Sequence, residues 1–149
     1  MKKFIFLMIV ILVAVTGISW PVGWAQSNEE AAVRVPLENY LKGHATGNAE
    51  YIRKAFHPDA KIFSCRDGKL NALTLTEFAT RFPGQPAPDE GQRKRQIESI
   101  EITANAAMAK IVLDYPQVKF TDYMSLLKID GEWKIINKTF YAEPKKQSQ

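Results

Sequence analysis

From Leu113 to Phe140 the chain reads LDYPQVKFTDYMSLLKIDGEWKIINKTF. Two runs rich in β-branched and aromatic residues flank Asp130-Gly131, a dipeptide that favours a tight hairpin turn because both residues tolerate positive φ. A lone hairpin is marginal in water, so strands of this length need further strands and a cover over one face. This segment therefore commits the chain to an antiparallel sheet, and the assignment of its two faces decides where everything else packs.

Two registers are open. A three-residue loop with Gly131 in a bulge sets Lys128 against Glu132, Leu126 against Lys134 and Asp122 against Lys138, so opposite charges meet across the strands. The inward face then carries Tyr123, Ser125, Leu127, Trp133, Ile135, Asn137 and Thr139. A two-residue turn instead puts Asp122 on the face of Trp133. Charge pairing favours the bulged register, which leaves Met124, Leu126, Ile136 and Phe140 on an outer face too apolar to stay in water. A second copy over that face would give a homodimer with a two-fold interface.

Upstream, Val33, Leu37, Tyr40, Leu41 and His44 follow the spacing of one helical face. Gly43 and Gly47 mark the end of that helix, and Pro36 fits only in its first turn or at a kink. Asn48 suits the N-cap of a short second helix carrying Ile52 and Phe56, which must stop near His57 because Pro58 follows. Lys61–Ser64 and Lys69–Leu73 read as a hairpin around Asp67-Gly68. Thr74-Leu75-Thr76-Glu77 matches a capping box, opening a third helix over Leu75–Phe82. The segment Pro83–Gly91, with three prolines and two glycines, is a loop and a candidate lid. Strands follow at Arg93–Thr103, Ala106–Tyr115, Lys119–Ile129 and Trp133–Ala142. Helices first and long strands last predict an α+β fold with the helices on one sheet face.

Lys2 and Lys3, the apolar run Phe4–Ile18, and small residues Gly23 and Ala25 form the three-part layout of a secretory leader, with cleavage expected between Ala25 and Gln26. The stretch Phe4–Ala25 is also long enough to span a bilayer as an anchor; Pro21 and Gly23 favour cleavage by favouring an extended segment there. The mature chain, 26–149, suits a single domain with its core at about 31–142. It is expected in the periplasm or outside the cell, with no membrane contact after cleavage. Cys65 is the sole cysteine, which rules out an intrachain disulfide. The formal charge of +4 falls to +2 without Lys2 and Lys3. The remaining basic residues are scattered rather than gathered on a stacking face, which argues against a nucleic-acid partner.

Four stretches, Tyr40–Asn48 (YLKGHATGN), Phe56–Ala60 (FHPDA), the Asp67-Gly68-Lys69-Leu70 turn and Asp122–Phe140, resemble the nuclear transport factor 2-like superfamily and, within it, the putative lumazine-binding family. The resemblance implies a cone-shaped, cystatin-like α+β fold in which a curved, mainly antiparallel sheet wraps around N-terminal helices and leaves a pocket. It also implies frequent dimers through the sheet. Members include isomerases, dehydratases, pure binders and partner-binding subunits, so the fold leaves the function open.

His44, on the apolar helical stripe, is a candidate base or an internally bonded core residue. His57 and Asp59 flank Pro58, at a junction that the superfamily places near the pocket rim; a plain helix stop explains them equally. Tyr123, Ser125 and Asn137 are the polar members of the expected inward face, suited to orienting a ligand in an apolar pocket. Trp133 closes the core or stacks on a ligand. Asp114 and Asp122 face inward only in the second register. Cys65 beside Arg66 is a lone thiol. Two distant histidines and one cysteine show no metal-ligand spacing, and no cofactor fingerprint is present. The leading expectation is a homodimeric binder of a small apolar or aromatic molecule, without cofactor. A cofactor-free lyase or isomerase is the second, with His44 or Asp59 as base and Tyr123 as donor. A partner-binding subunit is the third.

Overall fold

Two tight turns organise the sheet. Asp67-Gly68 and Asp130-Gly131 both hold positive φ, at 52° and 73° and at 50° and 84°, the type I′ geometry whose twist matches that of the strands it joins. The computed structural model describes residues 22–146, with side chains from residue 28. The leader expected at 1–25 lies outside them except for its last four residues, which begin the first helix.

The elements run α1 (Val22–Thr46), α2 (Ala49–Ala55), β1 (Phe56–Arg66), β2 (Lys69–Thr74), α3 (Leu75–Ala79), a 3₁₀ turn (Glu90–Gln92), β3 (Lys94–Thr103), β4 (Ala106–Asp114), β5 (Val118–Ile129) and β6 (Glu132–Pro144). The strands form one curved mixed sheet in the order β2-β1-β6-β5-β4-β3. Only β1 and β6 run parallel; the other neighbours are antiparallel. This is the expected α+β architecture.

Local chemistry sets the helix ends. Asn48 caps α2, its side-chain oxygen accepting from Glu50 N at 2.8 Å. Thr74 and Glu77 form a reciprocal capping box at α3. That helix is shorter than the expected Leu75–Phe82, although Arg81 N and Phe82 N still bond to the carbonyls of Phe78 and Ala79. Helix α1 runs well ahead of Pro36, so of the two places open to that proline it takes the helix interior rather than the first turn. Proline forfeits one bond in such a position; Pro36 sits buried beside Leu37, so packing offsets the loss.

Val33, Leu37 and Tyr40 of α1 lie fully buried against Ile52, Phe56, Ile62, Met124, Leu126 and Ile135. Burying each such side chain contributes about 1.5–3 kcal/mol. α1 is anchored across the sheet by Glu29, which accepts from Lys128 Nζ at 2.6 Å and from Trp133 Nε1 at 3.0 Å.

The final hairpin corrects the favoured register. Ile129 pairs with Glu132 and Lys128 with Trp133, as a two-residue turn requires, and a bulge between Ser125 and Leu126 then shifts β5 against β6 so that Met124 meets Lys138. Asp122, Met124, Leu126, Trp133, Ile135 and Lys138 therefore share the helix-covered face and are buried, while Tyr123, Ser125, Asn137 and Thr139 point the other way. The apolar set decides: Met124 and Leu126 bury far more surface than Tyr123 and Ser125 would. Met124, Leu126 and Phe140, expected to be covered by a second copy, instead belong to the interior of the single chain.

Candidate functional site

A cavity of about 640 Å³ opens between the end of α1, α3, the 83–88 loop and the inner face of β4 to β6. Phe78, Phe82, Tyr115, Phe120 and Phe140 form its aromatic walls, and His44, Arg66, Arg81, Arg93 and Lys138 are its basic members. No aspartate or glutamate is among the lining residues. A second recess, larger but bordered by exposed polar residues such as Lys69 and Asn71, shares Arg66, Arg81, Phe120 and Phe140 with it. We take the smaller cavity as the site, because its walls are apolar and its polar groups converge, and the larger recess as its approach.

The loop roof is pinned by Gly47. Its φ of +64° is a left-handed value, and a Cβ there would collide with the Gln85 backbone carbonyl. Gly84 N donates to Gly47 O at 2.7 Å, and Asn48 bridges Pro83. At the other end of the loop, Arg95 makes two bonds to Glu90, at 2.6 and 2.7 Å, the fork geometry in which guanidinium and carboxylate pair best. Arg93 adds a bond to Asp89 at 2.8 Å and lies over the Tyr115 ring. The 83–91 segment is thus tied at both ends.

His44 lines the cavity at the end of α1. Arg95 Nε donates to the Tyr115 hydroxyl at 3.2 Å, and that hydroxyl lies 3.2 Å from His44 Nδ1. Because the tyrosine oxygen accepts from arginine, its own proton is free to go to Nδ1, which leaves the histidine proton on Nε2. That atom is buried and has no protein partner. Burial holds the imidazole well below its ordinary pKa, helped by the positive charges of Lys138, Arg95 and Arg93. His44 is therefore neutral at pH 7, with an N–H donor available for a ligand acceptor.

Beside it lies a buried polar cluster. Tyr40 Oη donates to Asp122 Oδ2 at 2.6 Å and accepts from Lys138 Nζ at 2.5 Å. Lys138 Nζ also sits 3.0 Å from Asp122 Oδ1, an ion-pair approach outside hydrogen-bonding direction, since that oxygen has no hydrogen-bond partner. The ammonium is walled by the Tyr40, Phe78 and Phe140 rings, 4.9, 5.3 and 4.7 Å from their centroids. Burial lowers the Lys138 pKa against the opposing pull of Asp122. Burial also raises the Tyr40 phenol well above its usual value, reinforced by Asp122. Deleting one member of such a pair leaves a buried charge uncompensated, at a cost of roughly 3–5 kcal/mol.

Of the candidates named from sequence, His44 alone lines this cavity. Tyr123, Ser125 and Asn137 are corrected to the outer sheet face by the register, Tyr123 being 48% exposed. Trp133 is buried at the opposite end of α1, where its indole bonds Glu29. His57 and Asp59 bond each other on the surface at the start of β1, with the Asp59 side chain 93% exposed. Asp114 is half-buried and paired with Lys145, and Cys65 is exposed on β1. Lys138 and Tyr115 are not among the residues singled out from sequence, and Asp122 faces inward only in the register that charge pairing disfavours. The signal lay in the apolar alternation Phe120, Met124, Leu126, which puts Asp122 on the inner face.

The description "putative lumazine-binding" matches residues 28–141, spanning the helices, the sheet and the cavity. The chain belongs to the putative lumazine-binding family. Its fold is nuclear transport factor 2-like, with similarity to a protein of unknown function from Shewanella baltica OS155 at 28% identity and a TM-score of 0.73, covering 80% of this chain and 97% of that one. A second, from Methylobacillus flagellatus KT, is also of unknown function and 28% identical, with a TM-score of 0.68, covering 78% of this chain and 93% of that one. A relative from Cladobotryum sp, named aldolase FrzH, is 27% identical over 122 residues, 80% of this chain and 95% of the relative. Membership in the putative lumazine-binding family suits a small-molecule site, and the cavity supplies one.

Proposed function

We propose that this protein binds a small, largely apolar or aromatic molecule carrying a negative charge. The observation that supports this reading is the cavity lining: five aromatic residues with Arg66, Arg81, Arg93 and Lys138, and no carboxylate. Arg93 and Lys138 have acidic partners, whereas Arg66 and Arg81 make no ion pair among the described residues. An anion near these two guanidinium groups gains charge-assisted bonds, and the aromatic walls take up the rest of the molecule. The unpartnered Nε2–H of His44 gives one further directional contact.

The test is calorimetric titration with 1-naphthoate and with its neutral counterpart 1-naphthalenemethanol. Naphthoate is expected to bind more tightly by about tenfold, or ~1.4 kcal/mol. The double variant Arg66→Ala/Arg81→Ala is expected to lose that preference. Equal affinity of the wild type for both compounds would refute the anionic requirement.

The mature protein is proposed to be periplasmic or secreted and homodimeric through the outer sheet face. The leader pattern of residues 1–25 supports the first point, and the Glu29 anchor of α1 lies beyond the proposed cut. For the second, Met108, Tyr123 and Tyr141 are exposed large side chains on the sheet face away from the helices. Export is expected to yield a chain beginning at Gln26 with twice the monomer mass by light scattering. An uncut N-terminus or a monomer would contradict the respective claim.

A second reading, a cofactor-free lyase or isomerase acting on a ligand in the same cavity, is favoured by the His44 and Lys138 donors meeting there, and by the relative named as an aldolase. In it, His44 and the Lys138 cluster take the roles expected of Asp59 and Tyr123, which lie outside the cavity.

A further inference from the structure

We propose that Lys138 is a covalent site, its amine condensing with an aldehyde or ketone carbonyl of a ligand held in the cavity. The inference rests on the cavity being a ligand site and goes beyond it by assigning a bond. A lysine used only to neutralise Asp122 would be shut away from space. Lys138 is 4% exposed, yet it forms part of the cavity surface, with Phe78 and Phe140 on either side. Tyr40 links the ammonium to the carboxylate, accepting from Lys138 Nζ and donating to Asp122 Oδ2, so a proton can pass from one to the other along two hydrogen bonds. Other lysines with partners, such as Lys110 with Glu98 and Lys134 with Glu132, lie at the half-open surface.

The step balances without an added reagent. The Lys138 ammonium passes one proton to the Tyr40 hydroxyl as Tyr40 passes its own to Asp122 Oδ2. The freed nitrogen pair forms a C–N bond to the carbonyl carbon while the C=O π electrons move to oxygen, which takes a proton back from Asp122. The nitrogen pair then forms C=N as the C–O bond breaks, and the oxygen leaves as water with the second proton from nitrogen. Ammonium plus carbonyl becomes iminium plus water. The iminium keeps the single positive charge that Asp122 faced before, so the buried pair stays neutral overall throughout. An iminium is an electron sink for making or breaking the adjacent carbon–carbon bond, and Arg66 and Arg81 point to a carbonyl compound that also carries an anionic group.

The experiment uses the whole mature protein at neutral pH with 4-formylbenzoate and sodium cyanoborohydride, which fixes any imine as a stable secondary amine. Peptide mass spectrometry locates the adduct. In parallel, calorimetry with 4-(hydroxymethyl)benzoate, which cannot form an imine, reads occupancy of the cavity alone. Labelling of Lys138 is expected to be severalfold faster than at the exposed Lys61, Lys69 and Lys119, because burial favours its neutral amine and the cavity holds the aldehyde beside it. An excess of the alcohol is expected to protect Lys138 and leave the surface lysines unchanged. The paired variant Lys138→Met/Asp122→Asn, which leaves no lone buried charge, is expected to keep its fold, read by circular dichroism and melting temperature, and to lose the selective adduct while its surface lysines are labelled at the wild-type rate. If the alcohol binds but Lys138 is labelled no faster than the surface lysines, the covalent assignment falls and the binding reading stands. If neither the alcohol nor the aldehyde engages the cavity, both fall.

Discussion

His44 shows how position alone sets a side chain's chemistry. It sits where α1 meets the loop roof, among Tyr40, Phe78 and Phe82 rings, and its neutral form is enforced by burial and by three nearby cations. Below its ordinary pKa of 6.5 the unfolded chain takes up a proton that the folded protein refuses. The resulting stability is full above that value and is lost as pH falls beneath it, with a slope approaching about 1.4 kcal/mol per pH unit. His44→Asn removes the titration, so its unfolding free energy is expected to fall less than the wild type's between pH 7 and pH 5 in urea titrations. Parallel pH profiles would mean that His44 protonates freely. The same residue scale explains one error of the sequence reading. Asp122 and Lys138 do pair, as opposite charges on facing strands suggested, but they do so diagonally and in the interior. Charge complementarity identified the partners and could not say on which side of the sheet they meet.

Among the elements, the legible ones are those whose instructions are local. Asn48, the Thr74–Glu77 box and the two Asp-Gly turns each satisfy backbone groups within a few residues, so the residues that specify them are adjacent in the chain. The faces of β5 and β6 were not legible, because a single bulge reverses every side chain beyond it and its cause is the packing of helices far away in sequence. Gly47 gives the element-scale prediction. Gly47→Ala places a Cβ against the Gln85 backbone at φ +64°, whereas Gly68→Ala, at φ +73°, meets nothing within 4 Å. The second is expected to cost about 1–2 kcal/mol of left-handed strain alone. The first is expected to lower the melting temperature further and to weaken naphthoate binding, because it lifts the loop that roofs the cavity. Equal effects of the two variants would show that the loop is not held by α1.

At the scale of the whole molecule, the helices and the curved sheet enclose one face and leave the other to solvent or to a second copy. The enclosed face holds a phenylalanine-rich aromatic surface, a neutral imidazole and a lysine with an internal counter-ion, all at one end. The opposite end, with Trp133 and Glu29, is closed by packing. The fold family was readable from four short stretches of sequence, and with it the presence of a pocket, but of the residues placed at that pocket only His44 lines the cavity. Its positive lining was not readable, since Arg66 ends β1 while Arg81 and Arg93 lie in the segments after α3 and before β3, and only the tertiary structure brings them together.

The most direct test of the central claim is a heteronuclear NMR titration of the mature chain with 1-naphthoate. The account expects shift changes concentrated on His44, Phe82, Tyr115 and Lys138, together with a downfield move of the His44 Nε2–H as it gains an acceptor. Changes confined to the outer-face residues Met108, Tyr123 and Tyr141, or no changes at millimolar ligand, would contradict it.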